Sequence, residues 1–405
     1  MKKLRILSLV ALGVASLGGL VGCGKKAAAD VTVGLICLHG SYSTYDNNFI
    51  IAMKDAQKKL GFKLAISEDI PEGPECYDEA KKLAQSGCDV IFADSFGHEQ
   101  HMIKAAKEFP NTLFCHATGT NAASENLPNF GNAFASIYEG RYLAGVAGGL
   151  RMKADIEAGK YTAAEAKVGY VGAFTYAEII SGMTSFYLGV RSVVPEATMD
   201  VKYSGSWYDE NAEKSIAKEL INDYGCKLIS QHADSHGAPT ACEDAKVPNV
   251  SYNGSTLSDG PSTYLINSRI NWAPYYEHVI NGFLESKKAG EAPKVENDWS
   301  EGLKAGSVEV DKASKNCPDG AQAKLDAVRK DLEDGKLHVF DLSKFTVGGA
   351  APSAANMMPD PKNTYPNAPA ADQLLAGGYY HESEFRSAPS FDVFIDGITN
   401  LNTVF

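Results

Sequence analysis

The sequence predicts an α/β protein of two doubly wound parallel-sheet lobes with a ligand cleft between them. Three observations predict it. Hydrophobic periodicity switches repeatedly between strand-like and helix-like runs, the alternating series occurs twice, and a length of 405 residues suits two domains of ordinary size.

The first elements lie outside the fold. Residues 1–22 place Lys2, Lys3 and Arg5 before an apolar run from Ile6 to Gly22, the charged and hydrophobic parts of a secretory signal peptide. The run ends in Leu20-Val21-Gly22-Cys23, which resembles the lipobox of bacterial lipoproteins. Cys23 is therefore the expected lipidation site, anchoring the mature chain to the cell membrane on its extracytoplasmic face. Residues 23–30 read as a short tether.

The N-terminal lobe is expected over 31–137. Val31 to Leu38 is a continuous apolar run suited to a strand covered on both faces, and Phe49, Met53, Ala56 and Leu60 follow at helical spacing. Strands are expected at Lys63–Ser67, Asp89–Ala93 and Thr112–His116, with helices at Tyr77–Ser86 and Glu99–Glu108. The second lobe is expected over 138–270. It opens with a helix centred on Gly140–Leu150, whose glycines permit close helix packing. Strands follow at Lys167–Gly172, Thr198–Tyr203, Lys227–Gln231, Asn249–Tyr252 and Tyr264–Ser268, with helices at Glu178–Val193, Asn211–Tyr224 and Pro239–Ala245 between them. The polar, Ala-rich stretch Lys153–Ala166 reads as an insertion. Residues 271–405 are expected to supply a crossover helix at Tyr275–Lys287 and segments completing both lobes, with a helix at Gln322–Asp334. A Pro/Asn/Ala-rich surface loop is expected near 350–371.

Charge excludes one class of partner. The net charge of -12 becomes -15 once residues 1–22, with three basic and no acidic residues, are removed. No basic cluster is present to displace counterions, so nucleic acid is not an expected partner. Seven cysteines remain after Cys23, an odd number without a Cys-x-x-Cys pair, and they read as small core residues.

Ligands of parallel α/β sheets sit beyond the carboxyl ends of the strands. The residues there are Tyr45, Asp46, Asn48 and Phe49 after the first strand and Ser95 and Phe96 after the third. In the second lobe they are Phe174 and Tyr176, Trp207, then His232, Asp234 and His236, and finally Asn253. Aromatic faces grip a flat ring while amides and carboxylates read its edge, so the set suits a polar, planar ligand. Each piece has a plainer alternative. Asp46 suits a helix cap as well as a ligand contact, and Trp207 and Phe96 suit a core as well as a cleft. No Gly-x-Ser-x-Gly elbow, phosphate loop or His-Glu-x-x-His helix occurs, and His232-x-Asp234-x-His236 lacks further ligands for a metal. No cofactor and no catalytic residue are assigned.

The chain also resembles the basic membrane protein family of ABC-transporter substrate-binding lipoproteins, which includes purine nucleoside receptors. The resemblance rests on Asp89-Val-Ile-Phe-Ala-Asp-Ser-Phe-Gly97, Phe114-Cys-His-Ala-Thr-Gly119, Tyr138-Glu-Gly-Arg-Tyr-Leu-Ala-Gly145, Lys167-Val-Gly-Tyr-Val-Gly172 and Ser206-Trp-Tyr-Asp209. Gln231-His-Ala-Asp-Ser235 and Asn271-Trp-Ala-Pro-Tyr275 complete it. It implies a type I periplasmic-binding-protein fold and a monomer that captures a purine base or nucleoside for an ABC permease. It places Trp207 where an aromatic stacks on the base, with Tyr45 or Phe49 opposite and Asp234 on polar ligand atoms. Asn271 and Trp272 stand where nucleoside-binding members carry a basic residue, which resembles a branch binding free bases. A ligand sensor without transport and a nucleoside-processing enzyme are the rival readings.

Overall fold

The computed structural model describes residues 28–357 and 369–405. The signal peptide, Cys23, most of the tether and 358–368 of the expected loop lie outside the described residues.

Strand β1 (Thr32–Ile36) is followed by α1 (Thr44–Leu60), β2 (Lys63–Ser67), α2 (Pro74–Gln85), β3 (Val90–Ala93), α3 (Glu99–Glu108), β4 (Leu113–Ala117), the single turn α4 (Ala122–Glu125) and β5 (Phe130–Ala133). Helix α5 (Ile137–Glu157) leads to β6 (Lys167–Gly172), α6 (Ala177–Arg191), β7 (Thr198–Tyr203), α7 (Glu210–Asn222), β8 (Leu228–His232), α8 (Gly237–Ala245), β9 (Asn249–Tyr252) and β10 (Tyr264–Ile270). The chain then runs through α9 (Ala273–Ala289), β11 (Asp298–Trp299), β12 (Val308–Val310), α10 (Ala321–Glu333), the short α11 (Ala371–Leu374) and β13 (Ile398–Asn400).

Two sheets result. The first is wholly parallel, in the order β11-β5-β4-β3-β1-β2. The second has the order β12-β10-β9-β8-β6-β7-β13 and is parallel except where β12 runs against β10. In β1 only Thr32 escapes full burial, as expected of a central strand covered on both faces. The chain passes between sheets after β5, after β10 and again between β11 and β12. Residues on either side of the cleft are thereby tied together by three connections.

Local chemistry fixes the helix that starts the site. Ser43 caps α1 by accepting from the Asp46 N–H and donating from its hydroxyl to Asp46 Oδ2 at 2.6 Å. Asp46 is thus three residues into the cap motif and is not the N-cap itself. The helix ends at Gly61, whose φ of 85° is the left-handed conformation glycine adopts freely.

Helices α5 and α6 touch through glycine. A Cβ on Gly145 would lie 2.0 Å from the Phe186 carbonyl oxygen, and one on Gly189 would lie 2.2 Å from that of Tyr142. Of the stretch read as an insertion at Lys153–Ala166, residues 158–166 form the connection between α5 and β6. The first five residues of the stretch are the last turn of α5, where Asp155 accepts from Arg151 and Lys160. Polar composition there reflects a solvated helix end rather than a break. Strand β5, interrupted by Gly131 and Asn132, and the short β11, β12 and β13 carry too little hydrophobic pattern to be read in advance. Six of the seven cysteines from Cys37 onward are buried, Cys317 is half-buried, and all seven are free thiols.

Candidate functional site

The carboxyl ends of both sheets face each other across a narrow cavity of about 20 Å³. The first lobe contributes His39, Tyr45, Asp46, Ser95, Phe96 and Thr118. The second contributes Glu178, Trp207, His232, Asp234, Tyr252 and Asn253. The lobes are drawn together around it. Thr44 donates to the Asp234 carbonyl from its N–H at 3.1 Å and from its hydroxyl at 3.2 Å. Tyr42 meets Tyr208 edge-on at 5.2 Å, and Phe96 lies 5.7 Å from Tyr176.

Trp207 forms part of one wall. It is half-buried, with Phe174 edge-on at 5.1 Å and Tyr176 tilted at 6.2 Å. On the other side Tyr45 is held by donating its hydroxyl to the Asp94 carbonyl at 2.8 Å. The polar lining is acidic, carrying Asp46, Glu178 and Asp234 but neither lysine nor arginine. Burial works against ionisation of Asp46, but the His39 ring at 3.4 Å and hydrogen bonds from the Ser43 hydroxyl and the His39 N–H outweigh it and hold its carboxyl below the ordinary range. Its neighbour Asp94 is pushed far the other way by burial and then by the Asp46 charge. Asp234 is likewise raised well above the carboxylate range, by burial first and then by the charges of Asp46, Glu213 and Glu178.

Potential metal ligands on Cys37, Asp46 and Asp94 lie within 4.8 Å of one another. His232, Asp234 and His236 do not converge: they face Glu178, Asn253 and Asp259 respectively.

Not every residue expected at the site lines this cavity. Trp207, Asp234, Tyr45, Asp46, Phe96, Ser95 and Asn253 do. Asn48 lines a separate polar cavity, accepts from Arg269 at 3.2 Å and donates to the Ile270 carbonyl at 2.7 Å. Phe49 and Trp272, 2% and 1% exposed, stack on each other at 4.3 Å inside the core. Asn271 donates to the Gly306 carbonyl and to Glu309. Glu178 and Tyr252 were not anticipated as lining residues. Both obey the strand-end rule, since Glu178 lies in the first turn after β6 and Tyr252 ends β9.

A family model described as ABC transporter substrate-binding protein PnrA-like matches residues 43–335. The chain belongs to this family. A purine-binding protein of Brucella abortus (strain 2308) is 30% identical over 328 residues, covering 80% of this chain and 87% of that one. A relative from Haloferax volcanii, whose name assigns it to glucose binding for an ABC transporter, is 31% identical over 65% of this chain and 62% of its own. Among solved structures, an ABC-transporter solute-binding protein from Conexibacter woesei superposes with a TM-score of 0.60 at 20% identity, over 76% of this chain and 98% of that one. The fold is thus the type I periplasmic-binding-protein fold, two α/β lobes about a cleft. Substrate-binding proteins of ABC transporters work outside the cytoplasm, and among the described residues no helix is long and apolar enough to cross a membrane.

The last part of this substrate-binding protein, beyond the family match, also reaches the cleft. An outer chamber of about 470 Å³ shares Phe96, Thr118, Glu178 and Trp207 with the inner cavity and is completed by Arg386, Pro389 and Phe405. The segment that supplies them is bonded to both lobes. Ser387 N–H donates to Asp298 on β11 at 2.6 Å, while β13 pairs with β7 and Val404 N–H donates to Thr175 at 3.0 Å.

Glu213 on α7 braces two of the loops that carry the site. It accepts from the Asp209 N–H at 3.2 Å and from the Ser235 N–H at 3.2 Å. Burial, against these hydrogen bonds, raises its carboxyl to about 7. Between pH 4.5 and 7 the native state therefore keeps a proton that the unfolded chain releases. The stability this confers is full below 4.5 and is lost as pH rises through 7. Glu213→Gln should flatten that dependence. Urea unfolding at pH 5 and pH 7.5 should show the parent losing about 2–3 kcal/mol more than the variant across the interval. Parallel behaviour of the two proteins would contradict it.

Proposed function

We propose that this protein captures a purine base or nucleoside between its lobes and delivers it to the permease of an ABC importer. The observation that carries the reading is the inner cavity itself, where Trp207 and Tyr45 offer ring faces while Asp46, Glu178 and Asp234 offer edge contacts. A planar, hydrogen-bonding heterocycle uses both kinds of group. The acidic lining of the inner cavity, which carries no lysine or arginine of its own, disfavours phosphorylated ligands such as nucleotides. The purine-binding relative that matches most of this chain supports the same class.

On this reading ligand binding stabilises the closed arrangement, and the permease recognises the closed lobes. The protein acts as a carrier rather than an enzyme, and lipidation at Cys23 holds it at the extracytoplasmic face. Calorimetric titration with adenine, guanosine and inosine, beside glucose, tests the ligand class. Saturable binding of a purine is expected. Binding of glucose alone supports a sugar carrier, and release of free base from nucleosides at catalytic turnover supports an enzyme; either result rejects the proposal.

A further inference from the structure

Beneath the second-lobe wall of the inner cavity lies a buried cation without an anionic hydrogen-bond partner. Arg141 on α5 is 0% exposed. Its guanidinium donates to the Ser230 hydroxyl at 2.9 Å, the Tyr170 hydroxyl at 3.1 Å, the Ser251 carbonyl at 3.3 Å, and the Ser268 hydroxyl and Gln231 carbonyl at 3.4 Å. All five acceptors are neutral, and Nε has no partner. The group also lies over the rings of Tyr252, Phe186 and Tyr170 at 4.8, 5.1 and 5.7 Å. Burying a charge without a counter-ion costs several kcal/mol, and neutral oxygens and ring faces offset only part of that. Well-packed apolar side chains would tie these strands at less cost, so what the cation does for the cavity is the question.

Proton counting answers it. A guanidinium only donates, so the Tyr170 oxygen must accept from Arg141, leaving the single phenolic proton to go elsewhere. His232 Nδ1 lies 3.4 Å from that oxygen and can take it as an acceptor. A neutral imidazole whose Nδ1 accepts carries its own proton on Nε2, and His232 Nε2 faces Glu178 Oε1 at 3.5 Å. Burial keeps the imidazole neutral, its proton affinity falling below the ordinary histidine value. Both His232 and Glu178 line the cavity, and Tyr252, also lining it, rests on the guanidinium.

We infer that Arg141 is a positioning residue for the ligand site: through Tyr170 it fixes His232 as the Nε2–H tautomer, so that the His232 N–H is aimed at Glu178 and holds the Glu178 carboxyl group in place at the ligand edge. The inference rests on the inner cavity being the ligand site, and it extends the purine reading by naming what sets the hydrogen-bond pattern the ligand must match. Nothing is transferred along the chain of groups; each proton stays on its own atom, and the cation dictates where.

Arg141→Met removes ties among strands as well as the charge, so the decisive variant is Tyr170→Phe, which deletes one hydroxyl and keeps the ring. Nitrogen-15 NMR of histidine-labelled protein reads the tautomer without any ligand. The parent His232 should show a protonated Nε2 and a bare Nδ1, and Tyr170→Phe should shift both signals toward a tautomer mixture. Adenine affinity, measured calorimetrically beside the unliganded unfolding temperature, should fall about tenfold, the effect of one mispositioned hydrogen bond. A His232 protonated at Nδ1 in the parent, or a Tyr170→Phe variant with unchanged nitrogen signals or unchanged adenine affinity, overturns the inference. Failure of the parent to bind adenine counts against the purine reading, and the tautomer measurement then decides the role of Arg141 without it.

Discussion

Trp272→Ala should cost the protein about 3–5 kcal/mol of stability, the penalty of emptying a packed aromatic site. The indole is 1% exposed and stacks on Phe49 at 4.3 Å with an interplanar angle of 23°. Phe134 and Tyr275 approach it edge-on at 6.1 and 6.3 Å. These rings belong to α1, α9 and the turn after β5, so truncation opens a void where three parts of the first lobe meet. Denaturant unfolding of the unliganded protein measures the loss. A variant of parental stability that has lost its ligand would move Trp272 from the core to the cleft.

Trp207→Ala should do the reverse. This indole is half-buried and lines the cavity, with Phe174 edge-on and Tyr176 tilted beside it. Stacking of a base on an aromatic side chain is worth about 1–3 kcal/mol. Affinity should therefore fall roughly tenfold to more than a hundredfold, with little change in the unliganded unfolding temperature. Trp207→Phe should recover much of the binding. Calorimetry on the three proteins separates the outcomes, and unchanged affinity in Trp207→Ala rejects stacking at this position.

The two tryptophans show what was legible in the sequence. The alternation of periods identified the architecture because buried parallel strands and amphipathic helices differ so strongly in pattern. The strand-end rule then located Asp46, Ser95, Phe96, Trp207, Asp234 and Asn253, since residues leaving a parallel strand at its carboxyl end have only the cleft to enter. Asn271 and Trp272, which the family resemblance placed at the site, lie elsewhere for a physical reason. Strand β10 continues to Ile270, and the chain crosses at once to α9 in the other lobe, so the next side chains pack into a connection rather than the cleft.

Phe49 was misplaced by a similar slip. Helix α1 begins at Thr44, which sets Phe49 one turn beyond Tyr45 and turns it inward onto Trp272. The outer wall from Arg386 to Phe405 could not be read at all. Its residues follow no repeating βα pattern, and they reach the cleft only through long-range bonds to Asp298, Thr175 and β7.

A purine held between the lobes should survive purification. Protein purified from cells without refolding, then denatured, should release its cargo for mass spectrometry. The account predicts a purine base or nucleoside, in near-stoichiometric amount from the parent and strongly reduced from Trp207→Ala. A sugar or another unrelated metabolite released in stoichiometric amount would contradict it.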